Sequence, residues 1–239
     1  VIDRARVAVV PTGDELVDFR EPPGPNRIRN SNSVMLSALL ERAGAEHWIS
    51  PILPDEPDSL RAGLQDVLDA DVVLAIGGVS AGRKDLVPET FRGLGIDEVF
   101  HKVRLKPGKP LWFGVGPART GRRPVLVFGL PGNPMSVLVN FLAFVAPALE
   151  VLGGRPPRGP AIVPARSAGA IEHRSDLETY LPARIVDGRG APGMMTVERL
   201  EWGGSADMAT LAGADGFLVL PDRETSIASG EIVGFLPLR

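Results

Sequence analysis

Apolar and polar positions follow two different patterns along the chain, and the change falls near residue 154. In the first pattern, short β-branched runs alternate with stretches of helical period. Residues 7–10 (Val-Ala-Val-Val) end in the polar turn Pro11-Thr12-Gly13-Asp14-Glu15-Leu16 and predict a first strand. Residues 18–26, rich in Pro and Gly, read as an exposed loop. Met35, Leu36, Leu39 and Leu40 then share one helical face, with Ser31 or Asn32 as the cap and Gly44 as the stop. Residues 48–53 predict a second strand running into the acidic turn Pro54-Asp55-Glu56-Pro57-Asp58, and Leu60, Leu64, Val67 and Leu68 mark the next helix. The run Val72-Val73-Leu74-Ala75-Ile76 predicts a third strand, buried on both faces. A helix over 86–94, strands over 99–105, 111–115 and 125–128, and an apolar helix over 135–152 complete this half.

Residues 153–160, made of Gly, Pro and Arg, read as a linker. Beyond them come short strand candidates at 161–165, 179–186, 194–199, 216–220 and 232–236, with helical period only at 206–211. The expected fold is therefore α/β, a doubly wound and mostly parallel sheet over 1–154, followed by a small all-β barrel-like or sandwich domain over 155–239. There are no heptads, internal repeats or low-complexity segments.

Composition changes this picture little: 239 residues with 44% hydrophobic content suffice for two modest cores. Net charge is -3, which argues against a nucleic-acid or membrane-surface protein. The charges are unevenly placed. Residues 14–71 hold twelve Asp/Glu against five Arg, whereas residues 101–123 hold seven Lys/Arg and no acid. These are either solvated loops of opposite sign or a cleft for both metal and phosphate. Absent cysteine excludes disulfides, thiolate metal sites and a cysteine nucleophile, and suits a reducing cytoplasm. The three histidines lack ligand-like spacing. The apolar stretch 135–152 contains Asn140, Pro147 and Glu150, so a buried helix is expected rather than a membrane span, and no signal peptide opens the chain. Its abrupt start without Met points to a piece of a longer protein.

The chemistry sits in loops at strand ends. Gly77-Gly78-Val79-Ser80-Ala81-Gly82-Arg83-Lys84-Asp85 reads as a strand-to-helix binding loop: the glycines permit close backbone approach, Ser80 adds a hydroxyl and Asp85 can cap the next helix. A plain tight turn is the competing reading. Asp14, Glu15 and Asp55 also fall at strand ends, while Glu56 and Asp58 are what a helix start needs. Lys106-Pro107-Gly108-Lys109-Pro110 projects two lysines from a proline-restricted turn, suited to an oxyanion or simply to solubility. Gly129-Leu130-Pro131-Gly132-Asn133-Pro134-Met135-Ser136 is the most constrained loop, and the helix that Pro134 starts offers amides to an anion.

Taken together and in this order, residues 12–16, Ile28-Arg29-Asn30-Ser31-Asn32, residues 77–85, 106–110 and 129–136 resemble the molybdopterin molybdenumtransferases, the MoeA and gephyrin E-domain family. The resemblance covers the whole chain. Residues 1 to about 154 look like the family's molybdopterin-binding domain, and Gly203-Gly204-Ser205-Ala206-Asp207-Met208 with residues 216–221 like its C-terminal β domain. The family's N-terminal region lies outside this sequence, so the chain on its own is expected to be weak or inactive. The resemblance implies binding of adenylylated molybdopterin, Mg2+-assisted release of AMP, and insertion of molybdate at the dithiolene. By position it implies Glu15, Asp55 and Asp85 as catalytic and metal-holding carboxylates, and Thr12, Gly77, Gly78, Ser80 and Asn133 as contacts to the cofactor precursor. Pro131 and Pro134 would be rigid loop positions, and Lys106, Lys109 and Ser136 oxyanion contacts. It further implies a cytoplasmic homodimer with its site between subunits, served by an upstream molybdopterin adenylyltransferase and serving downstream molybdoenzymes, with no nucleic-acid or membrane partner.

Three positions depart from the family pattern. Ala75 and Ile76 stand where Ser or Thr is usual, Asn30 replaces a common Asp, and Asp176-Leu177 occupies the place of a Gly-Arg pair. The lost hydroxyls and arginine favour an alternative, a catalytically weak pterin-binding or scaffolding module of the same fold. A single-domain adenylyltransferase is a third reading, opposed by the prolines of 129–136 and by the added β domain.

Overall fold

The first apolar run forms strand β1 (Arg6–Pro11), followed by the short β2 (Leu16–Val17) and β3 (Ile28–Arg29), helix α1 (Ser31–Arg42), β4 (Glu46–Ile49) and α2 (Pro57–Asp66). Then come β5 (Val72–Ile76), α3 (Leu86–Gly93), β6 (Asp97–His101), β7 (Leu105–Lys106), β8 (Trp112–Val115) and β9 (Leu126–Leu130). A long helix closes this half: α4 (Pro134–Asn140) passes through a π turn, Phe141–Val145, into α5 (Ala146–Leu152). The computed structural model describes residues 3–79, 86–188, 193–223 and 225–238. Two units form, Val1–Val103 with Pro110–Arg158, and Arg104–Lys109 with Gly159–Arg239.

In the first unit the strand order is β4-β1-β5-β9-β8-β6, with the first four parallel and β8 antiparallel to both neighbours. Side chains alternate across this sheet as a period of two requires. Val7, Val9, Val72, Leu74 and Ile76 pack with Leu36, Leu40, Val137 and Phe141 on one face. Ala8, Val10, Val73 and Ala75 pack with Leu60, Leu64 and Phe91 on the other. Both faces are thus covered by helices, the doubly wound arrangement expected. Each Val, Leu, Ile or Phe among them contributes roughly 1.5–3 kcal/mol on full burial, which fixes the sheet's register.

The helix ends follow their local chemistry. Asn30, not Ser31 or Asn32, caps α1: its side-chain oxygen accepts the Ser33 amide at 3.2 Å. Gly44 ends that helix with φ +73°, as the sequence suggests. Glu56 caps α2, accepting the amides of Ser59 (2.8 Å) and Asp58 (3.1 Å), with Pro57 at the first helical position. Hydrogen bonds from Ser59 and then Asp58 hold the Glu56 carboxyl below its usual range. Glu56 and Asp58 are therefore helix-start residues. The helix Pro134–Leu152 is long and apolar enough to cross a membrane, with mean hydropathy 2.0, yet half of it is buried. Val137, Phe141, Val145 and Leu149, four residues apart, lie in the core against the sheet.

The second unit contains β10 (Val163–Ser167), β11 (Ile171–His173), β12 (Glu178–Asp187), β13 (Thr196–Arg199), α6 (Met208–Gly213), β14 (Gly216–Leu220), β15 (Thr225–Ile227) and β16 (Ile232–Pro237). The order β13-β10-β16-β14-β12 closes on itself through a β12–β13 pairing, a five-stranded barrel rather than a sandwich. Ala165, Ala183, Val197, Leu218 and Phe235 fill it. Residues 104–109 belong here, not with the unbroken 1–154 segment that the sequence suggests. The predicted strand 99–105 breaks at Lys102, which has φ +73°. Beyond the break β7 runs parallel to β12, pairing Leu105 with Glu178 and Lys106 with Thr179. Arg104 anchors this strand beside Asp176 (4.0 Å) and Asp222 (3.8 Å). A short added strand covers an otherwise open sheet edge.

Asp207 starts α6 and accepts hydrogen bonds from the Gly203 amide and from the Thr210 amide and hydroxyl, which together hold its pKa at about 2. Because the folded value lies below the ordinary 3.8, the ionised cap stabilises fully above about pH 4 and loses its effect as pH falls toward 2. Asp207→Ala should lower the thermal midpoint at pH 7, and the gap to wild type should narrow between pH 4 and pH 2 in thermal scans.

Candidate functional site

In the first unit, the parallel strands bring several loops to one edge. Pro11, Ile76 and Leu130 stand level across β1, β5 and β9. The loops after them begin in register: the Thr12 amide donates to the Ile76 carbonyl, the Gly77 amide to the Leu130 carbonyl, both at 2.9 Å. Beyond β4 the chain stays alongside β1, with Leu53 bridging Thr12 and the Gly13 amide donating to the Leu53 carbonyl at 3.1 Å. Residues 12–15, 53–55, 77–79 and 131–136 therefore share the C-terminal edge of the parallel strands, the usual ligand face of an open α/β sheet.

The acidic corner lies where the first two of these loops meet. Asp14 accepts the Asp55 amide at 3.2 Å and so fixes the turn that carries Asp55. Glu15 folds back over Gly13, where an added Cβ would come within 2.5 Å of its carboxylate. Among the described residues no three acidic or histidine side chains converge as a metal cage. Glu15 and Asp55 nevertheless supply two hard carboxylates at one corner. Mg2+ is commonly held by one or two carboxylates while water and substrate phosphates complete its shell, so these residues fit such an ion.

The middle of the edge is bare backbone. Gly77 and Gly78 have φ +98° and +62°, and a Cβ on Gly77 would sit 2.7 Å from the Thr12 carbonyl oxygen. The Thr12 hydroxyl is buried and donates to the Ile76 carbonyl at 3.2 Å, so this side chain staples two loops rather than facing outward. At the far side, Pro131 is buried and Pro134 opens the long helix behind Asn133, whose side chain makes no capping bond. Asn133 is exposed, and Ser136, 4% exposed, lies in the helix's first turn.

Of the residues singled out in the sequence, Thr12, Glu15, Asp55, Gly77, Gly78, Pro131, Asn133, Pro134 and Ser136 thus fall on this edge or in the helix turn behind it. Ser80 and Asp85 lie outside the described residues. Lys106 and Lys109 are exposed and belong to the other unit. Ala75 and Ile76 are 0% and 2% exposed, one in each core, so a hydroxyl there would enter a core rather than meet a ligand. Two further polar residues stand in the first turn of α1. Asn32 donates through Nδ2 to the Gly132 carbonyl at 2.6 Å, tying the start of α1 to the Pro131–Pro134 turn, while its Oδ1 is buried without a partner. Ser33 is 1% exposed, and its hydroxyl is also unpartnered. In the sequence both look like ordinary helix-start residues.

Comparison with known proteins matches residues 8–151 to a family described as a probable molybdopterin binding domain, and residues 164–238 to the MoeA C-terminal region (domain IV). A molybdopterin molybdenumtransferase of Nostoc sp. is 37% identical over 246 residues, covering 100% of this chain and 54% of the relative. Molybdopterin molybdenumtransferase 2 of Mycobacterium tuberculosis is 34% identical, covering 96% of this chain and 56% of that protein. The crystal structure of a molybdopterin biosynthesis moeA protein from Pyrococcus horikoshii superimposes with TM-score 0.79 and 28% identity, covering 99% of this chain and 55% of its own. The chain spans about half the length of the curated relatives it matches.

The glycine requirement at the centre of the edge can be measured directly. Gly77→Ala forces an L-residue to a strained positive φ and presses a methyl against the Thr12 carbonyl; the cost should be about 2 kcal/mol or more. Urea denaturation would register it as a lower midpoint with an unchanged slope.

Proposed function

The chain belongs to the MoeA-type molybdopterin molybdenumtransferase family, and from that premise we propose that it carries the molybdenum-insertion site of molybdenum cofactor biosynthesis. Adenylylated molybdopterin binds along the C-terminal edge of the parallel strands, its phosphoanhydride is hydrolysed with release of AMP, and molybdate enters at the dithiolene. What supports this reading is that one edge carries a carboxylate pair at one end, bare glycine backbone in the middle and a proline-fixed helix start at the other.

Each part has a physical role. Glu15 and Asp55 would hold Mg2+, and Asp14 orients the Asp55 turn by accepting the Asp55 amide. When bound, the ion would supply positive charge to the phosphate oxygens on which charge develops. Gly77 and Gly78 let the substrate lie against the backbone, with no side chain intervening. Pro131 and Pro134 fix the turn, Asn32 holds it through the Gly132 carbonyl, and the amides ahead of Ser136 favour an oxyanion. Lys106 and Lys109, in the other unit, are compact cations of the kind that suits a tetrahedral dianion. The same reading includes a cytoplasmic homodimer that receives substrate from a molybdopterin adenylyltransferase and hands product to molybdoenzymes. Ala75 and Ile76 lie in the cores, so of the two departures that favour the scaffolding alternative only the arginine missing at Asp176-Leu177 still speaks for it.

Full-length protein given adenylylated molybdopterin, molybdate and Mg2+ should release AMP and reconstitute a cofactor-free molybdoenzyme. Glu15→Gln, Asp55→Asn and Asp85→Asn should each slow AMP release by about 100-fold, equivalent to about 2.7 kcal/mol of transition-state stabilisation, with the fold intact by circular dichroism. Substrate binding without any AMP release by the wild-type protein would sink the proposal.

A further inference from the structure

Behind the bare glycine backbone, a row of residues stands level across the remaining strands of the first sheet. His101 in β6 pairs with Trp112 in β8, and Trp112 with Gly129 in β9. Gly129 in turn pairs with Ala75 in β5, the strand that delivers Gly77 and Gly78. Val79, 1% exposed, rests on this row. Its side chain fills the space over Gly129, where an added Cβ would come within 2.7 Å of Val79 Cγ1 and 3.2 Å of Trp112 Cβ. The Val79 carbonyl meets Nε2 of the part-buried His101 at 3.3 Å. A carbonyl oxygen only accepts, so Nε2 carries the proton and donates.

A bulge aims His101 this way. It falls in β6 between Glu98, which pairs with Gly114, and Phe100, which pairs with Phe113. The extra residue puts Glu98 and His101, three apart, on one face, where strict alternation would send them to opposite faces. Glu98 accepts the Trp112 indole N–H at 2.7 Å, and Phe91 of α3 stacks on the Trp112 ring with centroids 5.6 Å apart. The row beneath Val79 is therefore fixed on both sides. Two successive glycines at positive φ keep one path only where both ends are tied. The Gly77 amide ties one end to the Leu130 carbonyl, and His101 with the Gly129 gap ties the other at Val79.

We infer that His101 is a positioning residue: by holding the Val79 carbonyl it keeps the Gly77-Gly78 backbone on the path against which substrate lies. It acts through residues 77–79 and not by touching the substrate. Its consequence for turnover rests on the function proposed above.

Two variants of the full-length protein test this. His101→Phe keeps a ring of similar bulk but cannot donate, whereas His101→Gln returns an amide N–H to about the place of Nε2. His101→Phe should speed hydrogen exchange in peptides spanning residues 77–79 by about fivefold, the scale of one lost hydrogen bond, with exchange in β1 unchanged. It should raise KM for adenylylated molybdopterin by a similar factor and leave kcat within about twofold, because the glycine backbone is contacted before and during reaction alike. His101→Gln should restore both. Unchanged exchange in His101→Phe, exchange raised equally across the sheet, no recovery in His101→Gln, or a fall in kcat at constant KM would overturn the inference. A wild-type protein that releases AMP while His101→Phe alters neither exchange nor KM would leave the proposed function standing without it. Exchange that responds as expected in a protein that releases no AMP would keep the tie from His101 to residues 77–79 and remove the proposed function.

Discussion

The parallel register of β1, β5 and β9 is the constraint on which the site depends. Once Pro11, Ile76 and Leu130 stand level, two backbone hydrogen bonds carry that register past the strand ends: Thr12 to Ile76 and Gly77 to Leu130. Three loops then start from the same line. A slip of one residue would move every side chain of a strand to the opposite core, and Val9 and Val10, or Leu74 and Ala75, could not exchange cores without voids and clashes. The packing that stabilises the sheet is therefore also what aligns the loops.

Much of this was legible in the sequence because it rests on local signals. Alternating helix and strand periods gave the α/β architecture, the β-branched run at 72–76 gave a strand buried on both faces, and glycine or proline punctuated each strand end. Glu56 with Pro57 read correctly as a helix start because capping needs only residues adjacent in the chain. Glu15 and Asp55 could be paired only through the family pattern. Their shared corner comes from the Thr12–Leu53 bridge, and nothing local in either segment announces it.

What the sequence did not disclose depends on contacts between distant segments. Residues 104–109 sit between strands of the first unit, yet join the β unit because β12 offers an unpaired edge to a two-residue strand. Lys102, at positive φ, breaks the apolar stretch that suggested one continuous strand. Thr12 looked like a ligand contact by position, but its hydroxyl is taken up by the Ile76 carbonyl. Ala75 and Ile76 looked like lost ligand groups, while the pleat directs them into opposite cores. Conversely, Ser31 or Asn32 looked like the cap of α1, and Asn30 takes that role instead. Polar groups freed from the capping task are the ones that remain unpartnered.

The order of loops along the edge also fixes how far its acidic corner stands from its helix start. A helix start that favours oxyanions and a carboxylate pair that favours a cation would largely cancel if they were adjacent. Here the segment carrying Asp55 lies outside β1, the glycines follow β5 and the proline turn follows β9. With strands about 4.8 Å apart, the proline turn lies two spacings from Glu15 and three from Asp55, a separation of about 10–14 Å. That exceeds the Debye length of about 8 Å at physiological ionic strength, so solvent ions screen each end from the other. Between them Gly77 and Gly78 expose backbone: the Thr12 carbonyl leaves no room for a Cβ on Gly77, and Val87 none on Gly78. Strand order alone therefore sets how far the acidic corner lies from the proline-fixed helix start.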